Sequence, residues 1–216
     1  MGELSASDRT RLRRLREQGR TDRSVLYDVL SAGFVCHLGV IVGGAPMVVP
    51  TVYGFDATTL YLHGSGASRS LTDGLTSDVC VTITHVEGLV LARSVFEHAV
   101  NYRSAMIYGR PRALTGAEKL AGLRVLTEHI APGQWDYARR PDAKELAATR
   151  LLALSLDEAS VKMRTGPPDD GDGPDAALGL WAGVLPLTAT WGPPQPDPAL
   201  PPTIALPRHI AEAPRR

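Results

Sequence analysis

Residues 34–64 constrain the fold more than any other part of the chain. They hold three extended, apolar segments, FVCHLGVI (34–41), APMVVPTVYGF (45–55) and TLYLHG (59–64), separated by GG and DAT turns. Connections that short cannot carry a crossover, so the three segments must pair as antiparallel hairpins. The first two are apolar on both faces, as in a barrel or a sheet covered on both sides. The helical period that precedes them stops at Gly33. Before it, residues 23–32 place Val25, Leu26, Val29 and Leu30 on one face of a short helix.

The extended pattern continues downstream. DVCVTITHV (78–86) is the clearest strand, and LVLA (89–92) and VNYRSAMIYGRPRAL (100–114) extend the sheet. A T-x-x-E capping box at Thr115 and Glu118 predicts a helix over 115–130, with Leu120, Leu123, Leu126 and Ile130 as its apolar stripe. A short helix over 141–149 follows, then a strand pair or bent strand over 151–164 and a last strand over 181–192. The sum is a mostly β, antiparallel barrel with helices added at one side. Residues 1–22 read as an Arg-rich helical extension, with a helix over 7–18 capped by Ser7 and stopped by Gly19. Residues 23–192 form the barrel domain, and 193–216 a Pro-rich, extended tail.

Charge narrows the function classes. Lys+Arg and Asp+Glu both number 23, so the chain lacks the basic excess of a nucleic-acid binder. The Arg residues of the first segment are read as a solvated helix face with Asp/Glu partners. Cys36 and Cys80 sit in apolar runs and form no CxxC, which supports neither a disulfide framework nor a zinc site and points to a reducing cytoplasm. No apolar run follows the basic N-terminus as in a secretory signal, and none reaches 18 residues, so no membrane span is expected.

Two stretches carry chemistry. In LYLHGSGASRSL (60–71) a strand runs through a Gly-rich turn into a helix start. Gly64 and Gly66 let backbone N–H groups approach a ligand. Ser65, Ser68 and Ser70 add hydroxyls, and Arg69 adds a guanidinium, which together suit a phosphate. The turn matches neither the dinucleotide fingerprint nor the P-loop. In HAVNYRSAMIYG (98–109) the strand period puts Asn101, Arg103 and Ala105 on one face and Tyr102, Ser104 and Met106 on the other. These groups form either an internal polar network or a cofactor clasp. His63, beside the Gly/Ser turn, is either a core imidazole or a ligand contact. No catalytic triad is visible.

Taken in order, the CHLG strand, PMVVPTVYGF, LYLHGSGASRSL, VCVTITHVEGLVLARS, NYRSAMIYG and WAGVLPL resemble the pyridoxamine 5'-phosphate oxidase-like split-barrel flavoproteins. The resemblance covers roughly residues 23–190 and is greatest to the flavin-nucleotide-binding branch that includes the nitroimidazole-resistance reductases. It implies an FMN-binding split β-barrel, a homodimer with the cofactor at its interface, and hydride transfer at the flavin N5 to or from a small organic substrate. It maps the flavin phosphate onto Gly64–Ser70, with Arg69 as the charge partner, and the flavin-lining strand residues onto Thr82 and Thr84. It sets Asn101, Tyr102, Arg103 and Ser104 beside the cofactor and lets Trp181 close over it. Deazaflavin is an alternative cofactor. So is haem, with His209 of the tail as the sort of ligand some relatives use. A non-enzymatic flavin or haem carrier is the alternative to an oxidoreductase.

Overall fold

Two glycines and an aspartate shape the first hairpins. The computed structural model describes residues 2–212. In it β2 (Val35–Val42) turns into β3 (Ala45–Phe55) through Gly43 and Gly44, both at positive φ (59° and 81°). A two-residue hairpin needs that backbone, and glycine adopts it without strain. The next turn is set by Asp56, whose carboxylate accepts the N–H groups of Thr58 and Thr59 before β4 (Thr59–Ser65) begins.

Helix α1 (Arg23–Ser31) starts on Asp22, which accepts from the Ser24 N–H, and buries Leu26, Val29 and Leu30. Its far end is held by three side chains. His85 Nε2 lies 2.9 Å from the Val29 carbonyl, Tyr53 Oη donates to Leu30 at 2.6 Å, and His129 Nε2 lies 2.8 Å from the Gly33 carbonyl. A carbonyl only accepts, so both imidazoles carry their proton on Nε2 here. The first two bonds satisfy carbonyls of the last helical turn, and the third holds the chain just beyond it.

The remaining strands are β1 (Gly19–Arg20), β5 (Val79–Leu91), β6 (Ala99–Gly109), β7 (Arg112–Ala113), β8 (Thr149–Ser155), β9 (Ala159–Arg164) and β10 (Gly183–Pro186). They form one antiparallel sheet in the order β1-β9-β6-β5-β2-β3-β4-β8-β7, with β10 added beside the end of β5. The sheet curls into a half-barrel, the split-barrel fold that the sequence predicts. Its core holds Leu38, Tyr53, Leu62, Ile83, Ile107, Leu154 and Val161, all nearly inaccessible. Helix α2 (Arg69–Asp73) follows β4. A smaller cluster of Leu114, Leu126, Leu151 and Ala153 sits under α3 (Gly116–Ile130). Helices α4 (Gln134–Tyr137) and α5 (Ala143–Ala148) follow, and α6 (Arg208–Ala211) ends the described chain.

Several expectations are corrected. The helix over 7–18 is absent: those residues form turns and a 3-10 turn at Arg16–Gln18. Thr10 Oγ1 bonds the Ser5 and Ser7 backbone, while Ser7 and Arg9 reach across to Glu158, and Arg9 also pairs with Asp78. Such side-chain bonds compete with a helix whose short length makes it marginal alone. Thr115 makes no capping bond, because Glu118 is drawn into a bidentate pair with Arg112 (2.9 and 3.0 Å). The capping box lies instead at Asp142 and Glu145, opening α5. In α3 Leu126 is buried, but Leu120 and Ile130 are exposed. DVCVTITHV and LVLA form the single strand β5, with a bulge between Val86 and Gly88. The last strand covers only 183–186 of the expected 181–192. Met1 of the predicted extension and residues 213–216 of the predicted tail lie outside the described residues.

The loop at 167–175, which carries four aspartates, is anchored. Asp170, buried, accepts from the Arg93 and Ser94 backbone N–H groups (2.5 and 3.3 Å) and from the Arg93 guanidinium (3.0 Å). Burial pushes its carboxyl up, but those donors outweigh it and hold it below the usual range. Its contribution is therefore present above the ordinary carboxylate pKa of about 4 and is lost as pH falls through the lower folded value. Asp170→Ala is expected to release residues 167–175. Limited proteolysis would then cut there at neutral pH, where the parent chain stays intact.

Candidate functional site

The site begins where β3 and β4 part. They pair only at Tyr53–Leu62, Gly54–Tyr61 and Phe55–Leu60. Upstream, β3 continues with β2 alone, and beyond Leu62 β4 continues with β8 alone, through His63, Gly64 and Ser65. The facing strand edges therefore present N–H and C=O groups to no neighbouring strand. Between them lies a cavity of about 170 Å³ lined by Leu38, Val49, Pro50, Thr51, His63, Gly64, Ser68, Ser70 and Leu71.

His63 is the unusual group here. Its Nδ1 is buried with no hydrogen-bond partner, and burial lowers its pKa below the ordinary imidazole value. The ring is thus neutral at pH 7, with a buried polar atom that most proteins would satisfy. Below it the Gly/Ser turn is ordered by local bonds. Ser68 N donates to the Ser65 carbonyl, Ala67 N to Ser65 Oγ, and Gly66 N to the Ala148 carbonyl. Ser68 and Ser70 share a hydroxyl–hydroxyl bond at 3.0 Å. Ser68 caps α2 through its backbone carbonyl, and its hydroxyl, bonded to that of Ser70, lines the cleft. Arg69 is exposed on the rim near the Gly43 turn and has no ion-pair partner among the described residues.

The outer face of the sheet adjoins this cleft. Register places Pro50, His37, Thr82 and Met106 in one row across β3, β2, β5 and β6. Thr84 pairs with Ser104 and Val86 with Tyr102 on that face. The face is apolar yet open: Val35, Ile41, Val48, Leu89 and Val100 are all exposed, Val48 to 66%. The expectation that β2 and β3 bury both faces thus fails for the single chain, since β2 alternates and β3 is open over most of its length.

The alternation predicted for β6 holds, and it divides the four residues expected beside a cofactor. Tyr102 and Ser104 stand on the open face. Asn101 points inward, donating to the Gly166 carbonyl and accepting from Arg164. Arg103 forms an ion pair with Glu87 (Nε–Oε1 2.7 Å) that lacks the alignment of a hydrogen bond. Trp181 precedes β10, is 69% exposed and lies against Gly183. His209 Nε2 lies 2.9 Å from Gln134 Oε1, and its ring packs on Tyr137.

Sequence reasoning did not single out Leu38, Val49, Pro50 or Thr51 as cleft residues. Pro50 was the available signal, because a proline inside a strand marks an edge whose N–H needs no partner. Among the described residues no cluster of three His, Cys, Asp or Glu side chains could hold a metal ion, and no helix is long and apolar enough to cross a membrane.

With that geometry in place, comparison with known proteins is informative. The family model described as pyridoxamine 5'-phosphate oxidase matches residues 22–163. The flavocytochrome Anf3 of Azotobacter vinelandii is 38% identical, with a TM-score of 0.91 over 95% of this chain and 96% of that one. An FAD and heme binding protein of Mycobacterium smegmatis is 34% identical, with a TM-score of 0.86 over 90% and 96%. A 5-nitroimidazole antibiotic resistance protein of Bacteroides thetaiotaomicron shares the fold, at 19% identity and TM-score 0.54 over 67% and 85%. No curated protein matches. The chain belongs to the pyridoxamine 5'-phosphate oxidase family of flavin-binding split barrels.

Proposed function

We propose that this protein is a flavin-dependent oxidoreductase that also binds haem, working as a homodimer on a small organic substrate or electron acceptor. The observation that carries the reading is the cleft between β3 and β4, with its unpaired strand edges and the partnerless His63 Nδ1. The residues present fit a flavin nucleotide. Gly64, Ser65, Ser68, Arg69 and Ser70 offer N–H groups, hydroxyls and a positive charge to a phosphate. Thr82, Thr84, Tyr102 and Ser104 border the face on which a flat ring would lie. A bound flavin supplies hydride chemistry, so the chain needs no acid–base pair of its own. The chain's own part is to orient the ring, keep water from it and offer neutral His63 at the cleft. Asn101 and Arg103 brace the strand from behind.

Two relatives above 30% identity carry flavocytochrome and FAD-and-heme names, which favours FAD over FMN and makes haem part of the main reading. Of the two imidazoles, His209 Nε2 is engaged by Gln134, whereas His63 Nδ1 has no partner; that atom is buried, so an iron would reach it only once the cleft opens. Two free thiols agree with a cytoplasmic setting.

The visible spectrum tests this directly. Flavin bands that bleach, with a Soret band that shifts to its ferrous position, on adding NADPH or NADH without oxygen are the expected result. Protein that stays colourless after incubation with FAD, FMN and haemin overturns the reading. A flavin that neither donor reduces would make it a carrier. His63→Ala is expected to lose or strongly shift the Soret band while flavin absorption persists.

A further inference from the structure

We propose that the chain carries a surface for a second copy of itself on the β9 side of the sheet. There the acid-rimmed turn at Val95–Phe96 of one copy docks on the arginine-rimmed turn at Leu15 of the other, and the reverse across a two-fold axis. Val95 and Phe96 are 85% and 88% exposed, more than any other large apolar side chain among the described residues. The turn that carries them is nevertheless braced. The Ala92 N–H donates to His98 Nδ1 (3.1 Å), the Phe96 N–H to Ser94 Oγ (3.2 Å), and the Arg93 and Ser94 N–H groups to Asp170. A loose loop would fold an apolar tip onto the body; this one holds the tip in water. An aromatic anchor fixed in advance is what a docking surface uses. Its rim is acidic. Glu97 lies on the same turn, and Asp170 ties the loop of Asp169, Asp172 and Asp175 to its base.

The N-terminal segment has the opposite character. Leu15 is exposed, on a backbone at φ 52° that bulky residues rarely adopt. Arg13, Arg14 and Arg16 flank it, all exposed and without ion-pair partners among the described residues. The 3-10 turn Arg16–Gln18 packs against β9, and β1 pairs with β9, so this turn is fixed to the sheet edge. Within one chain the two rims do not meet: Glu97, Asp172 and Asp175 make no ion pair among the described residues, and Asp169 turns to Arg164. An apolar anchor ringed by acids and an apolar knob ringed by arginines are complementary in both respects. One chain holds both halves, which makes a second copy the fitting partner. Its zero net charge sets up no general repulsion between copies.

The spacing suits one interface. Gly19, Lys162 and Ser104 share a row across β1, β9 and β6. From Ser104 back to Ala99, where β6 begins, the strand covers roughly 17 Å. A standard interface takes about 800 Å² from each partner, a patch close to 30 Å across, which spans both turns. In a two-fold contact each patch of one copy meets the other patch of its partner, so both are used twice. The contact depends neither on the flavin reading nor on the sheet face around Val48.

The test is the mass of the full chain in solution, by light scattering, at low salt and at about 1 M salt, where charges are screened beyond roughly 3 Å. The mass is expected to fall at least twofold on adding salt, and to be low at both salts in Phe96→Ser. High salt leaves any dimer of the sheet face intact, so the two surfaces are read separately. Charge reversal supplies the sharper arm. Arg13→Glu with Arg14→Glu makes both patches acidic, and Asp172→Arg with Asp175→Arg makes both basic. Each double variant alone is expected to show the low mass at low salt, and an equal mixture of the two to recover the high one. These side chains lie outside the core, so unchanged melting temperatures are expected and show that the variants are folded. A parent with the same mass as Phe96→Ser at low salt overturns the proposal. So does a mixture of the two reversed variants that stays at the low mass, since the acids and arginines would then not be facing each other.

Discussion

Gly54→Ala is expected to lower stability by about 3 kcal/mol and to loosen α3 from the sheet. A Cβ at position 54 would sit 2.4 Å from the Leu126 Cα and 3.0 Å from its backbone N. Neither atom can rotate aside, so the helix itself must move. Overpacking usually costs about 1–3 kcal/mol, and contact with backbone instead of side chain puts this case at the upper end. For a chain of this size that corresponds to a melting temperature lower by roughly 6–12 °C. Gly54 also belongs to one of the three pairs that join β3 to β4, so the mouth of the cleft shifts with it. Flavin affinity is expected to fall in parallel. Gly171→Ala is the control, since nothing lies within 4 Å of its added Cβ. A Gly54→Ala protein that melts within 1–2 °C of the parent would show that α3 is not packed as described.

The contrast between what the sequence revealed and what it hid follows the range of the forces involved. The strands were legible because alternation and Gly-Gly turns act over a few residues: β3 spans 45–55, as the pattern indicates. The two faces of β6 were legible for the same reason. What Asn101 and Arg103 bind was not, because Gly166, Arg164 and Glu87 are brought to them only by the fold. The Arg-rich segment misled because a helical spacing of Leu and Arg carries no record of Glu158, which draws Arg9 and Ser7 across the chain. Thr115 and Glu118 marked the start of α3 correctly, and only their capping bonds fail to form, since Arg112 takes the Glu118 carboxylate.

The candidate site shows the same division. Its Gly/Ser turn is a local motif and could be quoted from the chain. The cleft is not local, for it exists only because β3 follows β2 while β4 follows β8. His63 could be placed beside the turn from its position alone. That its Nδ1 would be buried and unpartnered depends on residues from β2, β3 and α2 that close around it.

Val48→Glu is expected to leave the chain folded but monomeric and poor in cofactor. Val48 is 66% exposed in the middle of β3, across from Gly39, with Ile41 and Val35 also exposed on the same face. A soluble chain rarely leaves such a face to water, and the homodimer proposed above would cover it. In a two-fold interface each substituted residue meets the same surface of its partner, so two carboxylates enter one dry, apolar region. An unpaired buried charge costs several kcal/mol, enough to weaken association a hundredfold or more. Within one chain the same side chain supports little, so the melting temperature should fall only by the share of stability that association contributes. Light scattering would give the mass, and the flavin-to-protein absorbance ratio the occupancy. Loss of both together places the cofactor between subunits. A variant that remains dimeric with full flavin would show that this face is not the interface, and a monomer that keeps its flavin would show that the β3–β4 cleft holds the cofactor without a partner.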